Sequence, residues 1–194
     1  MKKYLCLFVL LMLSLPSLAA ESPTARVKAG VEDIINIATD TGLDSEQKKQ
    51  ALAKVIATHV DLQASAQRVL AKYWKGASDD EKREFIELFK GVLVDTYIVL
   101  LEKYDNQTVN YTNEVIKKDI YATVDTEIVT SELKIPVSYQ LYQRNGDWKI
   151  YDFVAEGISM IRSFSNDYQS TLKKSGVSGL NSALTSKLSG QQGE

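Results

Sequence analysis

The stretch SDDEKREFIELFKGVLVDTYIVLLEKY, Ser78–Tyr104, decides how this chain folds. Its apolar and aromatic residues recur at steps of three and four, which places them on one face of a helix. Ser78 and Glu81 fit a capping box, in which each side chain accepts the other residue's backbone amide. Gly91 costs about 1 kcal/mol inside a helix, so it either marks the close approach of another element or is merely tolerated. We therefore predict a long helix that begins at Ser78 and buries one broad stripe.

Shorter helical patterns lie before and after a region of strand-like sequence. The spacing of apolar residues predicts three helices before the long one: Pro23–Ala38, Ser45–His59 and Asp61–Trp74. Beyond Gln107 the hydrophobic period changes from 3.6 to 2, and Val, Ile, Thr and Tyr become frequent. This region predicts four strands: Thr108–Asn113, Asp119–Ser131, Glu132–Arg144 and Asp147–Val154. Two more helices, Gly157–Lys174 and Val177–Leu188, are predicted to follow, with a break at Ser175-Gly176.

The predicted strands form an antiparallel meander. Asn145-Gly146 is a strong hairpin signal, because both positions of that turn need positive φ. Pro136 indicates an edge strand or a bulge. Alternation puts Trp148 and Ile150 on one face of the last strand and Tyr151 and Phe153 on the other. The order of elements predicts an α+β domain with a twisted sheet of about four strands cupped by helices, and a concavity between them is where a ligand would bind.

The first nineteen residues have the features of an export signal. Lys2 and Lys3 precede the apolar run Tyr4–Leu15, and small residues lead to predicted cleavage after Ala19. The alternative is a retained membrane anchor. The chain's single cysteine, Cys6, lies in this segment, so the mature chain would have no thiol, disulfide or lipid anchor. We expect residues 20–188 to form one domain, 20–77 helical and 78–188 carrying the long helix, sheet and closing helices, and residues 189–194 to be a disordered tail.

Reactive side chains are scarce. Without the export signal the chain carries 21 basic and 25 acidic residues, a net charge near −4, and no basic stripe that would indicate nucleic-acid binding. His59 is the only histidine and is expected to be structural or on the surface. Asp152 and Glu156 could form a catalytic pair, but Glu156 is more simply explained by the N-terminus of the next helix. No spacing indicates a metal or cofactor site, so the pattern favours a binding protein over an enzyme.

One segment, YDFVAEGISMI at Tyr151–Ile161, resembles the motif of the MlaC family, also called the toluene-tolerance family. Tyr73-Trp74-Lys75 before Ser78, Asn106-Gln107-Thr108, and KSGVSGL at Lys174–Leu180 are also similar to that family. The resemblance covers about Val55 to Leu188, and the spacing from Tyr-Asp to Glu-Gly-x-Ser is its most specific part.

The resemblance implies both a fold and a role. The fold would be an antiparallel sheet cupped by helices, similar to nuclear transport factor 2, with an N-terminal helical part. The role would be a periplasmic carrier of a glycerophospholipid that maintains outer-membrane lipid asymmetry. Its partners would be an outer-membrane lipoprotein–porin complex and an inner-membrane ABC transporter with an MCE subunit. The family has no catalytic residues and no cofactor other than the lipid cargo, and we expect a monomer.

Acyl chains would then lie between the concave face of the sheet and the helices. The candidate lipid-binding residues are apolar or aromatic residues on faces inferred to point inward: Tyr73, Val92, Leu93, Tyr97, Val124, Ile128, Val137, Tyr139, Leu141, Trp148, Ile150, Ile158 and Ile161. Five residues of the family motif are expected to shape the strand-to-helix turn: Tyr151, Asp152, Glu156, Gly157 and Ser159. For any lining residue ordinary core packing is the alternative. For the whole chain the alternatives are a chaperone or adaptor for apolar polypeptides, an enzyme on the same fold, or a carrier of another apolar lipid.

Overall fold

The computed structural model of the protein describes residues 21–190 as five α-helices and one antiparallel sheet. The helices are α1 (Pro23–Thr39), α2 (Ser45–His59), α3 (Leu62–Leu70), α4 (Asp79–Glu102) and α5 (Met160–Gly190), with a 3₁₀ segment at Ala71–Gly76. The strands are β1 (Thr108–Lys117), β2 (Tyr121–Val129), β3 (Lys134–Arg144), β4 (Asp147–Ala155) and β5 (Ile158–Ser159), and they lie in the sheet in that order. The α+β architecture is confirmed. The predicted export signal lies outside the described residues.

The predicted cap of the long helix is present. Ser78 Oγ accepts the Glu81 amide at 3.1 Å, and Glu81 Oε2 accepts the Ser78 amide at 2.7 Å. These bonds to Ser78 lower the pKa of Glu81. A Cβ on Gly91 would lie 3.1 Å from Leu188 Cδ1. Gly91 therefore marks a close approach, because the last turns of α5 pack against α4 at this point.

The third predicted helix, Asp61–Trp74, is shorter than expected. Asp61 is its N-cap and accepts the Ala64 amide at 2.8 Å. The α-helix ends at Leu70 because Ala71 has φ +48°, and a 3₁₀ segment carries the chain on to Gly76. A left-handed residue cannot continue the right-handed hydrogen-bond ladder.

Strand β5 was not predicted, and it moves the start of the last helix. The predicted helix Gly157–Lys174 begins only at Met160, because Ile158 and Ser159 pair with Ala155 and Val154. A strand of two residues is too short to show a period of two. The predicted break at Gly176 is confirmed, since this residue has φ +68° and ψ −165° within α5. Ser189 and Gly190, which were predicted to lie in a disordered tail, belong to α5, and residues 191–194 lie outside the described range.

Pro136 lies on neither an edge strand nor a bulge. Strand β3 pairs with β2 on one side and β4 on the other. The β3–β4 pairing begins at Val137 opposite Ala155, so Pro136 lies just beyond it and its missing amide removes no bond from that ladder. The Pro136 carbonyl accepts the Glu156 amide at 3.2 Å.

A bulge in β4 changes which side chains face the helices. Gln140 pairs with Asp152 and Leu141 pairs with Ile150, so Tyr151 is an extra residue. Trp148 and Ile150 lie on the concave face as predicted. Phe153, which pairs with Tyr139, returns to that same face, so its predicted placement on the opposite face is wrong.

The buried apolar residues form two groups. The helical cluster combines residues of α2, α3, α4 and α5, with Ile37 from α1, around Phe85 and Phe89, both fully buried. The sheet cluster joins α1 to the concave face through Val27, Ala122, Val124, Leu141, Trp148 and Ile150. The opposite face of the sheet is polar, as Ser138 donating to Asp125 at 2.6 Å illustrates. Antiparallel sheets commonly bury one face and leave the other wet.

Candidate functional site

A small apolar cavity lies where the helical cluster meets the sheet cluster. Its volume is about 60 Å³. It is lined by Ile56, Val60, Leu93, Tyr97, Ile150, Tyr151, Phe153 and Met160. These residues come from α2 and the residue after it, α4, β4 and the start of α5. The Tyr97 and Tyr151 hydroxyls are the only side-chain polar atoms among the lining residues other than the Met160 sulfur, so the cavity suits hydrocarbon.

The bulge in β4 forms one wall, and α3 holds it in place. The Asp61 amide donates to the Ile150 carbonyl at 2.8 Å, and Ser65 Oγ donates to the Tyr151 carbonyl at 2.7 Å. The Arg68 guanidinium lies 4.1 Å from the centre of the Tyr151 ring. The carbonyls exposed by the bulge therefore have partners, and α3 is bonded firmly to β4.

Helix α4 supplies the facing wall. Leu93 is buried, and the ring of Tyr97 lies 5.3 Å from the ring of Phe153, edge to face. Burial, helped by the nearby Asp152 carboxylate, raises the pKa of Tyr97 to about 12. The phenol is therefore neutral at physiological pH, and no ionised group among the lining residues opposes an apolar ligand.

The family-motif residues shape the strand-to-helix turn. Asp152 is buried and accepts Ser159 Oγ at 2.6 Å and the Ile161 amide at 3.0 Å, so it satisfies the first turn of α5. Glu156 (φ +51°) and Gly157 (φ +81°) form the tight turn from β4 to β5. A Cβ on Gly157 would meet nothing within 4 Å, so glycine is needed here for its positive φ and not for the close approach of another element.

The side chains considered for acid–base chemistry have structural surroundings in the described part of the chain. Both Asp152 oxygens hold the α5 terminus, while Glu156 is exposed on the turn. His59 is buried, its Nε2 lies 2.8 Å from Asp33 Oδ2, and its ring packs where Gly30 leaves room. Among residues 21–190 no group of His, Cys, Asp and Glu side chains could hold a metal ion.

The candidate lipid-binding residues fall into four places. Leu93, Tyr97 and Ile150 line the cavity. Val124, Tyr139, Leu141 and Trp148 belong to the sheet cluster beneath α1. Val137 and Ile128 continue the same concave face, Ile128 half-buried. Tyr73, Val92 and Ile161 pack in the helical cluster.

Ile158 is the exception. The expectation that it points inward is wrong, since it is 66% exposed on the short strand β5. The lining residues that the sequence reasoning missed are Ile56, Val60, Phe153 and Met160. Phe153 was missed because the bulge at Tyr151 returns it to the inward face, and the other three depend on how helices pack.

Comparisons with known proteins agree on one family. Residues 28–186 match the family model described as "MlaC protein". The chain is 23% identical over 124 residues to the intermembrane phospholipid transport system binding protein MlaC of Haemophilus influenzae, covering 61% of this chain and 58% of that one. It is also 23% identical over 169 residues to the toluene tolerance protein ttg2D of Pseudomonas putida, covering 82% and 77%.

The fold is shared with a solved structure. The phospholipid-binding protein of Ralstonia solanacearum, solved in complex with a phospholipid, superimposes with a TM-score of 0.77 at 23% sequence identity. The superposition covers 88% of this chain and 97% of that chain. Among the described residues no helix is long and apolar enough to cross a bilayer.

Proposed function

The chain belongs to the MlaC family, and from this premise we propose that it carries a glycerophospholipid across the periplasm. It shuttles between an outer-membrane lipoprotein–porin complex and an inner-membrane ABC transporter with an MCE subunit, which maintains outer-membrane lipid asymmetry. In this proposal the chain is exported, cut near Ala19, and works as a single-domain monomer without a cofactor or catalytic step. The apolar cavity between the two clusters is the observation that carries the proposal.

Burial of acyl chains accounts for retention of the cargo. Two chains contain about thirty methylenes, each worth about 0.8 kcal/mol when removed from water. Loss of the lipid into the periplasm is therefore strongly unfavourable. A bilayer offers the acyl chains a similar apolar environment, so the free energy of transfer between membrane and protein is a small difference between two large free energies of burial. The partner complexes must then decide when the lipid loads and unloads.

The cavity has to widen before it can accept this cargo. Its 60 Å³ is about twice the volume share of one water molecule in the liquid. An acyl chain that spans half of a bilayer core is about 15 Å long. Loading therefore requires the walls to separate and the chains to reach beyond the cavity along the concave face.

Helix α4 is the wall we propose to move. Between α4 and β4 no hydrogen bond occurs among the described residues, and Leu93 and Tyr97 meet Phe153 only through side chains. By contrast, α3 is hydrogen-bonded to the backbone of β4 at Ile150 and Tyr151. The free energy lost when apolar side chains separate is recovered when acyl chains take their place. The free energy lost when buried hydrogen bonds break is not recovered in this way.

Native mass spectrometry of the mature protein, purified from the periplasm without detergent, tests the proposal. We expect a near-stoichiometric phospholipid adduct. Leu93→Asp puts a carboxylate into the cavity and should abolish the adduct. Val60→Asp, at the half-buried rim of the cavity, should have the same effect and serves as the second variant if Leu93→Asp folds poorly. Ile158→Asp is the matched control and should keep the lipid.

Two results would contradict the proposal. One is a wild-type protein that is bare and stays bare after incubation with liposomes. The other is unchanged lipid content in both cavity variants, with their circular dichroism also unchanged. A bare protein that suppresses aggregation of unfolded polypeptides would favour the chaperone alternative instead.

A further inference from the structure

The hairpin between β1 and β2 concentrates exposed apolar surface. Nine large hydrophobic residues are exposed in the described part of the chain, and four of them lie within residues 115–121. They are Val115 (38% exposed), Ile116 (48%), Ile120 (40%) and Tyr121 (37%). Single exposed apolar residues need no explanation, but a contiguous group on a soluble surface commonly marks a contact with a partner or a membrane.

Basic residues are interleaved with this apolar tip. Lys117 and Lys118 lie at its end, and neither forms a salt bridge among the described residues. The turn is made by Lys118 (φ +54°) and Asp119 (φ +57°), so the two lysines and the two isoleucines are neighbours along the chain at this tip. The Glu114 carboxylate keeps its charge but lies on the concave face, opposite to Lys117, where the Thr24 amide and hydroxyl donate to it at 2.8 and 2.6 Å. Asp119 is the acidic group that remains at the tip.

A row of four side chains extends this surface across the sheet. Lys117 pairs with Tyr121, Tyr121 with Tyr142, and Tyr142 with Lys149, so the four lie side by side on the polar face. The two tyrosine rings are 5.4 Å apart. The Lys149 ammonium donates to the carbonyl of Thr58, which anchors that end of the row. Tyrosine and lysine are the side chains suited to the headgroup layer, with an apolar body and a polar or charged end.

We propose that this surface, formed by Val115, Ile116, Ile120 and the Lys117–Tyr121–Tyr142–Lys149 row, docks on a bilayer that contains anionic phospholipids. The isoleucines and the valine enter the headgroup layer, the tyrosines lie within it, and the lysines meet lipid phosphates. The charged residues favour a lipid bilayer over an apolar groove on a protein as the partner. Lysines without a salt bridge flank the apolar residues, and such a groove would bury their charges without compensation.

The same surface is continuous with the cavity. On the concave face Ile116 pairs with Ala122, Ala122 with Leu141, and Leu141 with Ile150. Strands lie about 4.8 Å apart, so about 14 Å separates the exposed Ile116 from Ile150 at the cavity wall. Docking at the hairpin would therefore place an apolar row between the bilayer surface and the site proposed for the acyl chains.

Vesicle flotation with mature protein tests the surface. We expect binding to vesicles of phosphatidylethanolamine and phosphatidylglycerol (3:1), little binding to pure phosphatidylcholine, and release in 0.5 M NaCl because salt screens exposed charges. The double variant Lys117→Gln/Lys118→Gln should weaken binding about fivefold for each lysine removed. The double variant Ile116→Ser/Ile120→Ser should weaken it about tenfold or more, since each buried methylene adds to membrane affinity.

Leu133→Ser is the matched control, because Leu133 is 62% exposed on the turn at the opposite end of the sheet. It should leave vesicle binding unchanged. Absence of binding to the anionic vesicles overturns the proposal and leaves the hairpin as a protein contact. Binding that both double variants retain in full also overturns it. Neither result depends on whether the purified protein contains lipid, so this proposal and the carrier proposal can fail separately.

Discussion

The two hydrophobic clusters are built differently, and the difference explains where the cavity lies. The helical cluster has twenty buried residues from several helices, and its aromatic rings pack on one another. The centre of the Phe89 ring lies 5.6 Å from that of Phe85 and 5.2 Å from that of Phe164. The sheet cluster has six, and α1 covers it mainly through Val27, with Val31 half-buried beside it. The small apolar cavity lies at the boundary between these two separately packed clusters.

This difference shows how a protein with the carrier role proposed above can be stable and still open. Most of the buried apolar residues belong to the helical cluster, of which only the side of α4 that faces β4 has to move when a ligand enters. The smaller cluster holds one helix on the sheet, and at the seam between the two clusters α4 makes no hydrogen bond to β4 among the described residues. The predictions below test that division of roles.

The largest expected effect is that of Phe89→Ala in the helical cluster. A fully buried phenylalanine removed from a packed aromatic group should lower the free energy of unfolding by about 3–5 kcal/mol. Urea denaturation followed by circular dichroism measures this loss. Leu100→Ala on the same helix is the control, since Leu100 is 59% exposed, and it should change stability by less than about 0.5 kcal/mol. Equal effects of the two substitutions would contradict the proposed division.

Val27→Ala should have a smaller and more local effect. Two buried methyl groups are worth about 1.6 kcal/mol, and their loss weakens the contact of α1 with the sheet. Hydrogen exchange should accelerate in α1 more than in α4. Ile34→Ala on the partly exposed side of α1 should not produce this pattern. Uniform acceleration throughout the chain would show that the two clusters unfold as one unit.

Asp152→Ala should cost about 1–2 kcal/mol, because it leaves the Ser159 hydroxyl and the Ile161 amide without their acceptor. The expected site of damage is the first turn of α5, which borders the seam. Thermal unfolding and exchange at residues 160–163 measure the effect. Asp167→Ala, an exposed substitution on the same helix, is the control; a loss no larger than this control's would show that the cap is unimportant.

The smallest effect appears only at high pH, where one tyrosine from each side of the seam can be compared. Burial raises the pKa of both Tyr97 and Tyr139 to about 12. Between pH 10 and 12 the unfolded chain loses these phenolic protons while the folded protein retains them, so stability should fall as pH rises through this window. Absorbance at 295 nm should show late titration, and Tyr97→Phe and Tyr139→Phe should each remove part of it. Ordinary titration near pH 10 for both would contradict the burial.

Much of the fold could be predicted because its signals are local. The Ser78–Glu81 box and the Asn145-Gly146 turn, with φ +53° and +90°, need only neighbouring residues, and both are present. The alternation along β2 and β3 identified the concave face correctly. What could not be predicted depends on backbone detail, such as Ala71 at φ +48°, which no side-chain pattern marks.

Less of the candidate site than of the fold could be predicted from the sequence. The bulge at Tyr151 moves Phe153 to the concave face, and periodicity alone carries no sign of an extra residue. Ile56, Val60 and Met160 come together only because three separate elements pack around β4. The family motif located the correct stretch of chain, while the contacts explain its chemistry: Asp152 and Ser159 hold a helix terminus.

The packing of α4 also has a consequence for how the chain is made. Asn181 Nδ2 donates to the Glu81 carbonyl at 3.0 Å, across 100 residues of sequence, and Leu188 fills the space at Gly91. A ribosome therefore completes α4 long before it makes the helix that packs on it. Until then Phe85 and Phe89 lack the rings of Tyr168 and Phe164 that pack on them, and the nascent chain cannot close its largest core. For a chain expected to cross a membrane in an unfolded state, this late closure favours export before folding.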